Sequence, residues 1–138
     1  AYNYGRMDIL RSGEKLALVA AGNMATPAIE AWNKLNLDHL RVTLINVSDW
    51  SDLHPDDIQL LAQYDHLLTL EDHNVQTGLG TALGVALMDS GARCTLTRLG
   101  VTEYASSGKP ADLFKMLGLD ADSIVDRIKQ IIGQPVKV

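Results

Sequence analysis

The stretch LLTLEDHNVQTGLGTALGVAL, Leu67 to Leu87, constrains the fold more than any other part of the chain, because its periodicity changes at a polar, glycine-rich joint. Leu67 to Leu70 form a short apolar run of strand length, Glu71 to Thr77 are polar, and from Leu79 the apolar positions recur at helical spacing. The reading is strand, loop, helix. In an open parallel sheet such a joint lies at the carboxyl end of a strand, where folds of this kind place ligands or partners.

The same unit recurs along the chain. Leu16 to Ala20 is a near-continuous apolar run, as expected of a strand covered on both faces, and Gly22 and Asn23 end it in turn chemistry. Ala25, Ala28, Ile29, Trp32 and Leu35 then fall on one helical face, with Asn23 or Thr26 as cap and Pro27 confined to the first turn. Arg41 to Val47 repeats the strand pattern. Pro55, Asp56 and Asp57 open the next helix, with proline early and carboxylates at the positive end of the dipole, and Ile58, Leu61, Ala62 and Tyr64 turn inward.

Arg93 to Leu99 supplies a further strand, Pro110 opens a short helix that Gly118 stops, and Asp120 caps a last one striped by Ile124, Val125, Ile128, Ile131 and Ile132. Periodicity supports four parallel strands, and Met7 to Leu10 offers a fifth, followed at once by Arg, Ser and Gly. Strands alternating with helices imply right-handed crossovers and an α/β layer structure. A length of 138 residues fits one domain with a real core.

Several function classes are excluded on bulk grounds. Net charge is −5 and the 12 Lys and Arg are scattered, so no footprint for nucleic acid is present. The apolar runs are far shorter than the ~18 to 20 residues a membrane span needs, and no basic stretch precedes an apolar one at the start, which predicts a soluble, cytoplasmic protein with no membrane partner. The lone Cys94 sits in an apolar stretch and reads as a buried structural thiol. His39, His54 and His66 lack the spacing of a metal set, so no metal site is expected.

The joint itself admits competing chemistry. Gly78, Gly80 and Gly84 superficially match a dinucleotide fingerprint, but their spacing is G-x-G-x-x-x-G and they lie late in the chain rather than on a first strand, so that the position ~20 residues on, where the fingerprint wants an acid at the next strand end, falls inside the final strand. The mechanical reading is that Gly80 and Gly84 let the helix approach its neighbour closely. Glu71 and His73 are the catalytic candidates, since a carboxylate near an imidazole can orient it and raise its pKa. Against this, adjacent residues point in different directions, and the cluster can equally be solvated or hydrogen-bond the amino terminus of the following helix. Ser106 to Lys109 precede the helix opened by Pro110 and could hold an anion, though helix capping explains the serine as well. Asn23, Asp72, His73, Ser107 and Lys109 are thus candidates for anion or interdomain contact.

Three segments carry a family resemblance. YGRMDILRSGEKLALVAAGNM, LTLEDHNVQTGLGTALGVAL and LGVTEYASSGKPADLFKMLGLDADSIVDRIKQI, in that order and spacing, resemble the carboxyl-terminal domain of transketolase-type, thiamine-diphosphate-dependent enzymes. The match runs from about Tyr4 to Ile132 within a single domain, 1–138. The resemblance implies a three-layer α/β/α fold with a five-stranded, mostly parallel mixed sheet whose first strand is antiparallel. It also implies no cofactor in this chain, because thiamine diphosphate and Mg sit between other domains of the parent enzyme. No Gly-Asp-Gly with a distant Asn is present.

His73 resembles the split transketolases and related synthases more than the dehydrogenase branch. The leading expectation is therefore an assembly or regulatory domain of a homodimeric enzyme that transfers two-carbon ketol units between sugar phosphates, partnered by its cofactor-binding domains and inactive alone. Parents of the 1-deoxyxylulose-5-phosphate synthase, 2-oxoacid dehydrogenase or 2-oxoacid:ferredoxin oxidoreductase kind share this domain. A reading of another class is a stand-alone small-anion binding module.

Overall fold

A computed structural model describes residues 6–74, 78–101 and 118–133. Its elements are β1 (Asp8–Arg11), β2 (Glu14–Ala21), a 3-10 turn (Gly22–Met24), α1 (Ala25–Leu37), β3 (Val42–Val47), α2 (Pro55–Leu61), β4 (His66–Asn74), α3 (Leu79–Asp89), β5 (Thr95–Val101) and α4 (Ala121–Ile131). The five strands form one sheet in the order β1-β3-β2-β4-β5. β1 runs antiparallel to β3, and the other pairings are parallel. The expected mixed α/β/α sheet with an antiparallel first strand is what the chain forms.

Alternation along the central strands splits the core into two layers, because both faces of the sheet are covered. Leu16, Leu18 and Ala20 of β2, with Leu44, Leu68 and Leu70, meet Ala28, Ala31 and Leu35 of α1 and Ile124, Val125 and Ile128 of α4. Ala17, Val19 and Ala21, with Ile45, Val47 and Leu67, meet Ile58 and Leu61 of α2 and Leu79, Leu83 and Leu87 of α3. The small residues of β2 let helices sit close on either side. Gly13 between β1 and β2 tolerates no side chain, since a Cβ there would lie 2.2 Å from the Val42 carbonyl carbon.

The structure corrects several sequence expectations. β4 continues through Glu71, Asp72, His73 and Asn74, where polarity alone predicts a loop, because Asn74 still pairs with Val101 of β5 across an irregularity after Leu70. Backbone pairing carries the strand past the point where apolar periodicity stops. Neither Asn23 nor Thr26 is the N-cap residue of α1; that position is Met24, and the Ala25 N–H donates to the Gly22 carbonyl, so the 3-10 turn supplies the acceptor through its backbone. Cys94 precedes β5 and is half-buried against the α3-side core rather than fully buried within a strand. Ile132 lies beyond α4 and is 39% exposed.

Asp120 stands at the start of α4 as expected, but it is its carbonyl that acts there, accepting from the Ile124 N–H, and its side chain makes no cap bond. The helix expected at Pro110 falls outside the described residues.

Candidate functional site

The chain winds from β2 to β3 on one side of the sheet and then returns to place β4 on the other side of β2. That reversal puts the switch point between the carboxyl ends of β2 and β4, the crevice where open α/β sheets hold ligands. Ala20 pairs with Leu70, so the Gly22–Met24 turn and the Glu71–Asn74 end of β4 stand side by side. Asn23, Asp72 and His73 are therefore brought to one end of the sheet by backbone placement. Ser107 and Lys109 lie outside the described residues.

Within that end, Glu71 has a definite role. Its carboxylate is fully buried, and Oε1 accepts the Leu79 N–H while Oε2 accepts the Gly80 N–H, both at 2.8 Å. Strand alternation directs Glu71, like Leu67 and Thr69, to the α3 side. There the first free N–H groups of α3 would otherwise be buried without acceptors. The negative charge also opposes the positive end of the helix dipole. Of the three outcomes open for this cluster in the sequence, hydrogen bonding to the following helix is the one the geometry of Glu71 displays. Asp72, one residue on, is half-buried.

The glycines behind this cap serve packing. A Cβ on Gly80 would lie 2.7 Å from both Arg98 Cγ and Thr69 Oγ1, and one on Gly84 would lie 3.3 Å from Leu96 Cδ2. Arg98 crosses this contact with its stem, and its Nη1 donates to Thr81 Oγ1 at 2.9 Å. Thr69 is fully buried and its hydroxyl has no hydrogen-bond partner among the described residues. α3 is thus clamped onto β4 and β5 by a carboxylate at its start and by absent side chains along its inner face.

Two groups escape a reading of the sequence for site chemistry. Arg98 is one, although strand alternation from Leu96 would have put its stem on the α3 side while its head stays exposed. Asp57 stands out in the sequence only as a helix-start carboxylate, yet it is 4% exposed and receives both Arg6 Nε and Nη2 at 2.9 Å and the Met7 N–H at 3.2 Å. Helical spacing to Leu61 would have shown it facing inward. Burial pushes the Asp57 carboxyl up, but the Arg6 guanidinium, the Met7 N–H and nearby positive charge outweigh it, so its pKa lies below the usual value.

Among the described residues, no group of three or more His, Cys, Asp or Glu side chains is arranged to hold a metal ion. Nor do the donors at the glycine-rich joint suit a diphosphate, because the Leu79 and Gly80 N–H groups already serve Glu71. Among the described residues, these groups do not fit thiamine diphosphate or its divalent metal. No described helix is long and apolar enough to cross a membrane.

The family model described as "Transketolase, C-terminal domain" matches residues 5–124. The chain belongs to the transketolase C-terminal domain family. One relative of this transketolase C-terminal domain is an apulose-4-phosphate transketolase subunit of Actinobacillus succinogenes, 34% identical over 128 residues, covering 88% of this chain and 40% of the relative. Another is a 1-deoxy-D-xylulose-5-phosphate synthase of a Polaromonas species, 36% identical, covering 97% of this chain and 21% of the relative. A solved split-gene transketolase, described as an inactive beta4 tetramer, superposes with a TM-score of 0.82 at 24% identity, over 94% of this chain and 43% of that one. The structural likeness shows the fold. The chain spans between about one fifth and two fifths of the length of these curated relatives.

Proposed function

We propose that this domain is the carboxyl-terminal section of a transketolase-like enzyme whose parent transfers two-carbon ketol units between sugar phosphates in the cytoplasm. Its own task is assembly or regulation of a homodimer, and it holds no cofactor. The observation that carries this reading is the Glu71 cap. The one glycine-rich helix start that the sequence offered as a phosphate cradle has its Leu79 and Gly80 N–H groups taken by the chain's own carboxylate. Thiamine diphosphate and Mg²⁺ then belong to other parts of the parent. Asp72 and His73, set beside Asn23 at the end of the sheet, are proposed as interdomain contacts rather than as acid and base, with Ser107 and Lys109 as further contact candidates.

Calorimetry of the chain with thiamine diphosphate and Mg²⁺ tests the cofactor statement, with no binding expected and micromolar binding as the refuting result. Mixing the chain with a cofactor-binding section of the same enzyme tests the rest. Ketol transfer from a ketose phosphate to an aldose phosphate is expected to require both. Relatives named as 1-deoxy-D-xylulose-5-phosphate synthases favour a second reading, the same domain in such a synthase. In that case the mixture condenses pyruvate with a triose phosphate and releases CO₂ instead. Light scattering should show a dimer at ~100 μM, since an authentic interface buries upward of about 1,000 Å².

A further inference from the structure

α4 has two flanks, and the fold engages their polar side chains unequally. Toward α1, Asp122 pairs with Lys34 and Lys129 with Asp38, so the charges on that flank are matched within the domain. Toward β5, Ser123, Asp126, Arg127 and Gln130 follow one another at helical spacings of three and four residues and so share a side of the helix. Ser123 and Asp126 are half-buried, while Arg127 and Gln130 are exposed. None of the four forms a hydrogen bond or ion pair among the described residues. Asp126 also borders the groove toward α1, yet it pairs with neither lysine there.

The sheet explains why that flank borders a cleft. α4 covers β2 and β4, where Leu16, Leu18, Leu68 and Leu70 meet Ile124, Val125 and Ile128. β5 is the outermost strand, and its Leu99 packs against the same core while staying half-buried. Between them lies a cavity of about 280 Å³, lined by Leu99, Gly118 and the four polar side chains of α4. A guanidinium and a carboxylate on successive residues thus line one small space, beside a hydroxyl, an amide and a leucine. The two charges are opposite, so neither a bare anion nor a bare cation matches the wall. Ligand sites commonly measure roughly 300–1,000 Å³, so this volume limits the occupant to a small metabolite.

We propose that the cleft between α4 and β5 is a binding site for a small zwitterion, an α-amino acid with a short apolar side chain. Arg127 receives the carboxylate and Asp126 the ammonium, Ser123 and Gln130 add hydrogen bonds, and Leu99 meets the side chain. The assignment is independent of the reaction that the parent enzyme performs. His66 supplies an internal reporter. Its Nε2 lies 2.8 Å from Thr97 Oγ1, and its pKa is lowered first by burial and then by the Arg127 charge. A carboxylate seated on Arg127 offsets that charge, so binding should move the His66 pKa upward.

Nuclear magnetic resonance of the 138-residue chain with leucine, isocaproate and isoamylamine tests the proposal. Leucine carries both charges, and the other two probes carry one each on the same apolar stem. Leucine should give saturable shifts at Leu99 and over residues 123–130 at about 1–10 mM, and should bind roughly tenfold more tightly than either single-charge probe. Arg127→Gln and Asp126→Asn should each weaken leucine roughly tenfold and leave the amide spectrum of the sheet unchanged, since neither side chain is tied into the fold. The upward movement of the His66 pKa with leucine should vanish in Arg127→Gln. No saturable shift by about 50 mM leucine overturns the site. Equal binding of leucine and isocaproate overturns the ligand class, and leucine binding that both variants leave intact overturns the residue assignment. The probe comparison uses the unaltered protein, so it decides even where a variant loosens the fold.

Discussion

Replacing Glu71 by Gln should destabilise the domain almost as much as deleting the side chain, although Gln has nearly the same shape. The buried carboxylate accepts one N–H on each oxygen, from Leu79 and from Gly80. Hydrogen bonds to a charged group contribute about 1.5–3 kcal/mol each, so the pair contributes roughly 3–6 kcal/mol. An amide retains one acceptor and turns an NH₂ toward the other N–H. One bond is lost, and two donors face each other where no water enters.

The expected cost of Glu71→Gln is about 2–3 kcal/mol, and of Glu71→Ala about 3–5 kcal/mol once the cavity is included. Against a typical total of about 5–15 kcal/mol, either change removes a large share of the stability. Urea unfolding followed by far-ultraviolet circular dichroism measures both, with the slope serving to check that the unfolding transition keeps its two-state form. A Glu71→Gln protein within about 0.5 kcal/mol of the unaltered one would refute the argument, because surface-like positions behave that way.

The two α3 glycines should respond oppositely. Gly80→Ala drives a Cβ to 2.7 Å from Thr69 Oγ1 in a rigid strand and should cost about 1–3 kcal/mol, whereas Gly84→Ala meets only the end of Leu96 at 3.3 Å and should be neutral or stabilising by up to about 1 kcal/mol. Denaturation midpoints separate them, and equal effects would contradict the packing account. Acid should weaken the fold at two places. Burial and the nearby Arg127 charge lower the His66 pKa from 6.5, so its contribution is complete above 6.5 and is lost as pH falls through the lower folded value. The lowered Asp57 pKa likewise gives stability that is complete above 3.8 and is lost as pH falls below it through the folded value. His66→Gln should flatten the first limb of a stability-against-pH curve and Asp57→Asn the second; unchanged limbs would count against these assignments.

How far the sequence showed all this depends on which forces shaped each residue. Elements whose identity follows from apolar spacing were legible: the run Leu16 to Ala20, the stripe Ile124, Val125 and Ile128, and the proline-led start of α2. The far end of β4 was not. Its pairing beyond Leu70 depends on Val101 in a distant segment, and nothing local in Glu71 to Asn74 reports a partner strand. At the site, the glycine spacing argued for close packing, and Gly80 and Gly84 do lie tight against β4 and β5. The division of labour within the acid pair was hidden, because which carboxylate turns inward is decided by how far the strand alternation runs. Asp57 hid its partner for a similar reason, since Arg6 reaches it only after β1 has crossed to the edge of the sheet.

That edge has a consequence for handling the protein. β3, with the sequence VTLINV, is the kind of apolar, β-branched strand that recruits other chains when its backbone is left open. β1 lies over that open side, bracketed by Asp8 and Arg11, with an irregular register that blunts its own outer edge. Four residues that add almost nothing to the core thus act as a guard rail against fibre-like association. A truncation that trims the amino terminus past Arg11 would keep nearly every buried side chain and still be the version that precipitates.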